Sequence, residues 1–258
     1  MIQSVRRATA ILLELGSGQR RLGVTELSDR LGLAKATVYG LLRTLEAHQL
    51  VEQDLETGKY RLGPALLQLG NAFLDNNELR ARSLLWAETL AGRAQEAVHV
   101  GVLYGANVLL VHHVFRPDNS LQILQVGASI PWHACALGKA SVAYLDGEGR
   151  DELLAGPLTR LTGRTLTSRA ALEAELAAAV GTGVAVEDQE AIVGEAGIAA
   201  ALFDNQGAVV GAIGLAGPVE RLLPGGPAAE LVAAVKEAAR GLSRELGAGR
   251  PAVPRAGA

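Results

Sequence analysis

An imidazole beside a thiol is a side-chain pair from which nucleophiles and metal ligands are made, and the stretch PWHACALGKA places His133 two residues before Cys135. Two apart on a strand, the groups point in parallel rather than toward each other, and no third residue is placed to orient them. The pair therefore makes a poor catalytic dyad and argues against an enzyme. A metal set is the next reading. His99 and His112 fall on neighbouring expected strands, with His113, His133 and Cys135 available, yet the spacing matches no zinc signature. A structural or ligand-contacting role suits these histidines better, and neither metal nor cofactor is expected. The main chain of the same stretch offers different chemistry. It passes from a strand into a helix at about Ala136, where the unpaired N–H groups of Ala136, Leu137 and Gly138 point at any anion placed there. A Gly- and Ala-rich helix start also serves close packing alone, and these residues do not choose between the two. The run Glu187, Asp188, Gln189 and Glu190 suits a solvated loop and a wall that accepts ligand donors equally well. GAIGLAG lacks the surrounding βαβ unit that a dinucleotide site requires.

A second chemistry lies near the start of the chain. Val5, Ala8, Ile11, Leu12 and Leu15 repeat at helical spacing and stop at Gly16-Ser17-Gly18. TELSDRLG gives a shorter helix with Thr25 as N-cap and Gly32 as left-handed C-terminal cap. A third helix, about residues 35–48, buries Val38, Leu41, Leu42 and Leu45 and shows Lys35, Ala36, Thr37, Tyr39, Gly40 and Arg43 on its other face. Two helices joined by a tight Gly-containing turn fit the major groove of double-stranded DNA. Arg and Lys can donate to guanine acceptors, Thr and Tyr can reach phosphates or base edges, and Ala and Gly allow close approach. LVEQDLETGKYRLG then reads as two short strands around a tip carrying a positive charge, with Lys59 and Arg61 offered to phosphate or the minor groove. This is a winged helix-turn-helix.

The elements that follow are those of a mixed domain. A helical stripe over residues 64–76 (Leu66, Leu67, Leu69, Gly70, Phe73) links it to the head, and RSLLWAETLAGRAQE gives the next helix. Strands are expected at AVHVGVL, NVLLVHHVF, SLQILQV, GIAAALFD and AVVGAIGLAG, the last two joined through Asp204-Asn205-Gln206-Gly207. Helices are expected at ALGKASVAYL, SRAALEAELAAAVG and PAAELVAAVKEAARGLSRELG. Runs of strands with helices to one side make an α+β domain with an antiparallel sheet. The expected boundaries are 1–63 for the head, 64–79 for the linker helix, 80–247 for the sensor domain and 248–258 for a disordered tail.

Composition sets bounds on these readings. The chain has 258 residues, 49% of them hydrophobic, enough for a folded core. Its apolar runs are short and interrupted, below the roughly 20 residues of a membrane helix, and no signal peptide is visible, so a cytoplasmic address is expected. Cys135 is the only cysteine, which excludes an intramolecular disulfide. The net charge of −3 hides an asymmetry: residues 1–70 carry nine Lys and Arg against seven Asp and Glu, the remainder fifteen against twenty. A mildly basic head on an acidic body suits a small DNA-binding unit attached to something else.

The succession SVRRATAILLEL and VTELSDRLGLAKATVYGLLRTLEAHQLVEQDLETGKYRLGPALLQLG resembles the DNA-binding domain of the IclR family of bacterial transcriptional regulators. EAVHVGVLYGANVLLVHHV, VGASIPWHACALGKASVAYL and GVAVEDQEAIVGEAGIAAALFDNQGAVVGAIGLAGPVERL resemble the family's effector-binding domain, so the resemblance covers nearly the whole chain. It implies a GAF-like fold for the second domain, a homodimer (or a tetramer on DNA) at a palindromic operator, and a linker helix that helps dimerise. It also implies a small-molecule effector whose carboxylate meets the amides of Ala136, Leu137 and Gly138. Carried over by position, the effector set is His133, Cys135, Ala136, Leu137, Gly138, Glu187, Gly197, Gly214 and Ala216. This chain departs from the family in two places. Ala34 and Ala36 stand where many members have Ser or Thr, and Gly197, Gly214 and Ala216 stand where a thiol and two hydroxyls are frequent. The second departure predicts a roomier site for a longer polar or phosphorylated effector. NELRARSLLW, VHHVFRPDNS and GVLYG look most like the branch of actinobacterial glycerol-operon repressors, which implies glycerol 3-phosphate as effector. The residues leave the sign of regulation open, with repression relieved by the effector as first choice and an activator, or another small organic acid, as alternatives.

Overall fold

The computed structural model describes residues 1–17, 21–118 and 125–249. The chain divides into two compact units that meet between Asn76 and Asn77. Most of the expected strand SLQILQV and most of the expected tail lie outside the described residues.

The first unit is built on three helices, α1 (Gln3–Gly16), α2 (Val24–Leu31) and α3 (Lys35–Ala47). Ile11 and Leu15 of α1, Leu27 of α2, and Val38, Leu42 and Leu45 of α3 close on Leu22, Val51 and Tyr60 to form one core. The stripe of α1 is shorter than its spacing predicts. Val5 is 61% exposed, with Met1, Ile2 and Leu13 exposed beside it, because nothing within the unit covers the first turns of this helix. Helix α2 begins before Thr25: Gly23 is its N-cap, and the Glu26 carboxylate reaches back to accept the Gly23 N–H at 2.7 Å. An acidic side chain at the third helical position thus satisfies the N–H of the N-cap residue, whereas a Thr cap would have accepted an N–H of the first turn. Gly32 ends α2 at φ 63, the left-handed cap its position predicts. Strands β1 (Val51–Gln53) and β2 (Tyr60–Leu62) pair antiparallel, Val51 opposite Leu62, as the wing. Leu22 adds a further rung by exchanging both backbone hydrogen bonds with Tyr60 at 3.0 and 2.8 Å. Helix α4 (Ala65–Asp75) buries none of its residues and leaves Leu67, Leu69 and Phe73 exposed.

In the second unit α5 (Glu78–Ala94) starts four residues before the expected Arg82, because the Asn77 side chain caps it by accepting the Arg80 N–H at 2.8 Å. The linker helix therefore stops at Asp75, short of the expected residue 79. There follow β3 (Ala97–Tyr104), β4 (Asn107–Val114), β5 (Ser129–Pro131), a 3-10 turn over Trp132–Ala134, α6 (Ala136–Val142), α7 (Gly147–Ala155) and α8 (Arg169–Thr182). The unit closes with β6 (Ala185–Asp188), β7 (Glu195–Phe203), β8 (Val209–Pro218), α9 (Val219–Leu222) and α10 (Ala229–Glu245). Six strands form one antiparallel sheet in the order β5-β4-β3-β8-β7-β6. One face carries Val98, Val100, Ile198, Leu202, Ile213 and Leu215, and α5 and α10 pack on that side. Gly241 of α10 permits this packing, since a Cβ there would stand 2.1 Å from the Trp86 ring of α5. The other face carries Val108, Leu110, Ala185, Ala199 and Ala212 under α6, joined by Leu172 and Leu176 of α8. Small residues on the strands let α6 lie directly on the sheet.

The start of α3 is left without a side-chain cap, since Ala34 is its N-cap and only the Ala34 carbonyl serves the first turn. Ala34→Ser is expected to add a side-chain acceptor for the Ala36 N–H, which the Ala34 carbonyl does not serve, and to stabilise the first unit by about 1 kcal/mol. Differential scanning calorimetry should then show its midpoint higher by roughly 4–8 °C, the shift for a domain of this size.

Candidate functional site

The exposed face of α3 is continuous. Lys35, Ala36, Tyr39, Gly40 and Arg43 are exposed, Thr37 is half-buried, and Thr44, which the sequence reading did not include, extends the face by one position. A Cβ at Gly40 would meet nothing within 4 Å, so the helix backbone is bare at the middle of this face. The cations are arranged differently from the expectation. Lys59 Nζ turns back to Glu26 at 3.1 Å, Arg61 pairs with Glu52, and Arg43 reaches Glu46 at 3.3 Å. The tip of the wing is not positive by itself, because Asp54 occupies it and accepts the N–H groups of Glu56 and Thr57 at 3.1 and 3.0 Å. The Gly23 N–H and the Lys59 ammonium hold the Glu26 carboxyl below its usual range, so it stays ionised and keeps Lys59. These pairs are solvent-exposed and weak, on the order of 0–1 kcal/mol each, so a phosphate can take the cation over.

In the second unit the expected passage from strand to helix contains the 3-10 turn, which removes the alternation that would have put His133 and Cys135 on one strand face. His133 is buried, and its Nε2 lies 3.0 Å from the Thr159 carbonyl oxygen. Cys135 is the N-cap of α6, and burial pushes its thiol up to about 12, so no thiolate nucleophile exists there at neutral pH. The histidines weighed as metal ligands do not converge either. His99 stands opposite His113, whereas His112 pairs with Val100 and faces the other side of the sheet, where Arg80 and Glu88 lie close enough to influence its ring. Among the described residues no group of three or more His, Cys, Asp or Glu could hold a metal ion.

The sheet register brings several of the expected effector residues together. Glu187, Gly197 and Ala216 form one row across β6, β7 and β8, and Ala185, Ala199, Gly214, His99 and His113 form the next. The missing thiol and hydroxyl do not leave the site roomier. A Cβ on Gly197 would lie 3.2 Å from the Ala136 methyl, and one on Gly214 would lie 2.5 Å from the Ile198 carbonyl oxygen. Helix and strands have closed over the positions that larger side chains would fill. Gly138 likewise serves packing, since its Cβ would meet the Trp132 carbonyl oxygen at 2.2 Å.

The strongest electrostatic feature was not singled out from the sequence. Lys139 has no exposed surface, and its ammonium lies 2.7 Å from Glu190 Oε1 and 3.2 Å from Glu175 Oε2. The sequence did carry a signal for it: a lysine inside the apolar helix ALGKASVAYL demands a buried carboxylate. Part of the expected acidic loop is strand, with Glu187 and Asp188 closing β6 and Gln189 turning at φ 59. Glu187 Oε1 accepts the N–H groups of Glu190 and Ala191 at 2.5 and 3.2 Å. Burial nevertheless raises its carboxyl to about 7, with the Glu190 carboxylate adding to the shift and the two N–H donors and Lys139 opposing it. Burial raises Glu190 too, with Lys139 opposing, and its Oε2 has no hydrogen-bond partner.

Comparison with known proteins bears on both units. Residues 4–55 match the IclR helix-turn-helix domain, and residues 71–244 match the bacterial transcriptional regulator IclR C-terminal domain. The chain belongs to the IclR family of bacterial transcriptional regulators. Within the IclR family it is 49% identical over 250 residues to the glycerol operon regulatory protein of Streptomyces griseus, covering 96% of this chain and 98% of that one. It is 47% identical to the protein of the same name from Streptomyces coelicolor, with the same coverage. Among solved structures, an IclR transcriptional regulator of Alicyclobacillus acidocaldarius matches with a TM-score of 0.82 at 26% identity, over 96% of this chain and 100% of that one. The IclR relatives are regulators rather than enzymes, which agrees with the unreactive Cys135. No helix among the described residues is long and apolar enough to cross a membrane.

Because the Glu187 carboxyl titrates near 7 when folded and from its ordinary 4.5 when unfolded, the folded protein binds this proton more tightly. Its contribution to stability is full below about pH 4.5 and is lost as pH rises to about 7. Glu187→Gln keeps an acceptor for the two N–H groups and carries no charge. It should therefore stabilise the protein at pH 8 by up to about 3 kcal/mol and leave it nearly unchanged near pH 4.5, as read by denaturant unfolding at the two pH values.

Proposed function

We propose that this IclR-family chain is the ligand-responsive repressor of an operon for glycerol use, with glycerol 3-phosphate as its effector. The near-full-length identity to the two Streptomyces glycerol operon regulatory proteins carries this reading. The first unit supplies the DNA chemistry. Lys35, Thr37, Tyr39 and Arg43 of α3 address the major groove, the bare backbone at Gly40 allows close approach, and Lys59 and Arg61 exchange Glu26 and Glu52 for phosphates. A palindromic operator requires two heads. The exposed Met1 and Ile2 ahead of α1, Val5 and Leu13 within it, and Leu67, Leu69 and Phe73 of α4 offer apolar surface for pairing with a second copy in a homodimer. In the second unit the first amides of α6 receive the phosphate, with Glu187 and Gly197 beside them.

Regulation is then a matter of differential affinity. Glycerol 3-phosphate that binds one arrangement of the paired heads better than the other lowers operator affinity, and operator lowers ligand affinity by the same factor. The operator and this phosphorylated metabolite meet in the cytoplasm, which is where this reading places the protein.

Fluorescence anisotropy on DNA from the gene's own upstream region should show specific binding that glycerol 3-phosphate releases and that weakens with added salt. Specific binding indifferent to the ligand would remove the effector assignment while leaving a DNA-binding regulator. Lys35→Ala and Arg43→Ala should each weaken operator binding, by about 1–3 kcal/mol for a lost base contact, without changing ligand affinity. Unchanged binding in both would place another element in the groove.

A further inference from the structure

We propose that the His99 imidazole is a hydroxyl-recognition group of the effector site, binding the polyol end of the ligand in place of the side-chain hydroxyls that Gly214 and Ala216 do not supply. The proposal rests on the effector reading above and adds to it a residue and a division of labour.

Register and burial carry the argument. His99 is the cross-strand partner of Gly214 on one side and of His113 on the other, so its side chain stands on the sheet face that α6 covers, in the row next to Ala216. Two residues along β3, Gly101 lies under the first turn of α6, where a Cβ would approach Leu137 Cδ1 at 3.4 Å. Side chains two apart on a strand share a face about 7 Å from each other, which sets the His99 ring on the face that the start of α6 covers, one strand step from the position under Leu137. His99 is 8% exposed, and its ring makes an edge-on contact with His113 rather than a hydrogen bond to another described residue. A largely buried imidazole of this kind takes its hydrogen-bond partner from water or from a ligand.

Its neighbour is already engaged. The His113 ring lies edge-on to His99 with centroids 4.7 Å apart, and its Nδ1 accepts the Gln125 N–H at 3.1 Å. His113 thus holds its ring in place through the main chain and backs the His99 ring, leaving both His99 nitrogens for the ligand. Burial, then the neighbouring His113, holds His99 down to about 3, so the ring is neutral at physiological pH and offers one donor and one acceptor. That pattern matches a hydroxyl, which donates and accepts, and does not match a phosphate, which calls for donors or positive charge. The anionic end falls to the α6 amides and the hydroxyl end to His99.

Calorimetric titration of the full-length protein with glycerol 3-phosphate and with propyl phosphate, which keeps the phosphate and lacks both hydroxyls, tests this. Wild type should prefer glycerol 3-phosphate by about tenfold or more, the scale of one or two hydrogen bonds to a buried group. His99→Leu should lose that preference while binding propyl phosphate as before, and His99→Gln, which keeps a donor and an acceptor, should retain part of it. In wild type, the ring-nitrogen resonances of His99 should move on addition of glycerol 3-phosphate and stay in place with propyl phosphate, a readout that needs no variant to fold. Equal weakening of both ligands in His99→Leu, or full binding of glycerol 3-phosphate by it, overturns the role of His99 and leaves the effector assignment standing. Wild-type protein that binds neither phosphate overturns the effector assignment, and this inference with it.

Discussion

A lysine with no exposed surface constrains everything packed around it. Lys139 is the fourth residue of α6, in a helix otherwise made of small and apolar residues, and its ammonium draws Glu190 from the turn after β6 and Glu175 from α8. Removing one member of such a pair leaves an unpaired buried charge, at a cost of about 3–5 kcal/mol. The pair therefore fixes the distance between α6 and the edge strand that carries Glu187. Thr162 and Thr165 reinforce that distance by donating their hydroxyls to the Gln189 and Glu190 carbonyl oxygens, each at 2.7 Å. Any ligand that moves the start of α6 is felt at the edge strand through charge as well as packing.

Much of this architecture could be read from the residues, and what could not has identifiable causes. Periodic apolar stripes announced α1 and α3, and alternation announced β3, β4, β7 and β8, because each pattern reflects a face buried over several turns or residues. The short edge strands were invisible for the opposite reason: β5 and β6 have three and four residues, too few for a period to develop. Helix starts moved where a side chain farther along reached back, as with Glu26 to Gly23 and Asn77 to Arg80. His112 and His113 exchanged significance because strand parity depends on a bulge between Val100 and Gly101, and a bulge leaves no compositional trace. Gly197 and Gly214 suggested open space, yet whether a missing side chain leaves a void or lets two backbones approach is decided by packing.

The head illustrates a related limit. Charge counting gave a mildly basic unit, but the cations at Arg43, Lys59 and Arg61 each have an acidic neighbour within the head, at Glu46, Glu26 and Glu52. A basic patch that neutralises itself has little non-specific attraction for nucleic acid, and its contacts with phosphate are exchanges of one anion for another. Such a surface favours shape and base contacts over bulk electrostatics, in keeping with a chain whose overall charge is −3.

The end of β6 has one more consequence. The Arg164 side chain donates to the Asp188 carbonyl oxygen at 3.1 Å, and the Thr162 and Thr165 hydroxyls occupy the next two carbonyls of the chain. Gln189, with φ 59, turns the backbone out of the extended conformation at the same place. The outermost strand thus ends in acceptors that are already taken and in a twist that another strand cannot follow. The bonds that brace the acidic turn also blunt the margin of the sheet against pairing with a neighbouring molecule, protecting the protein from edge-to-edge aggregation.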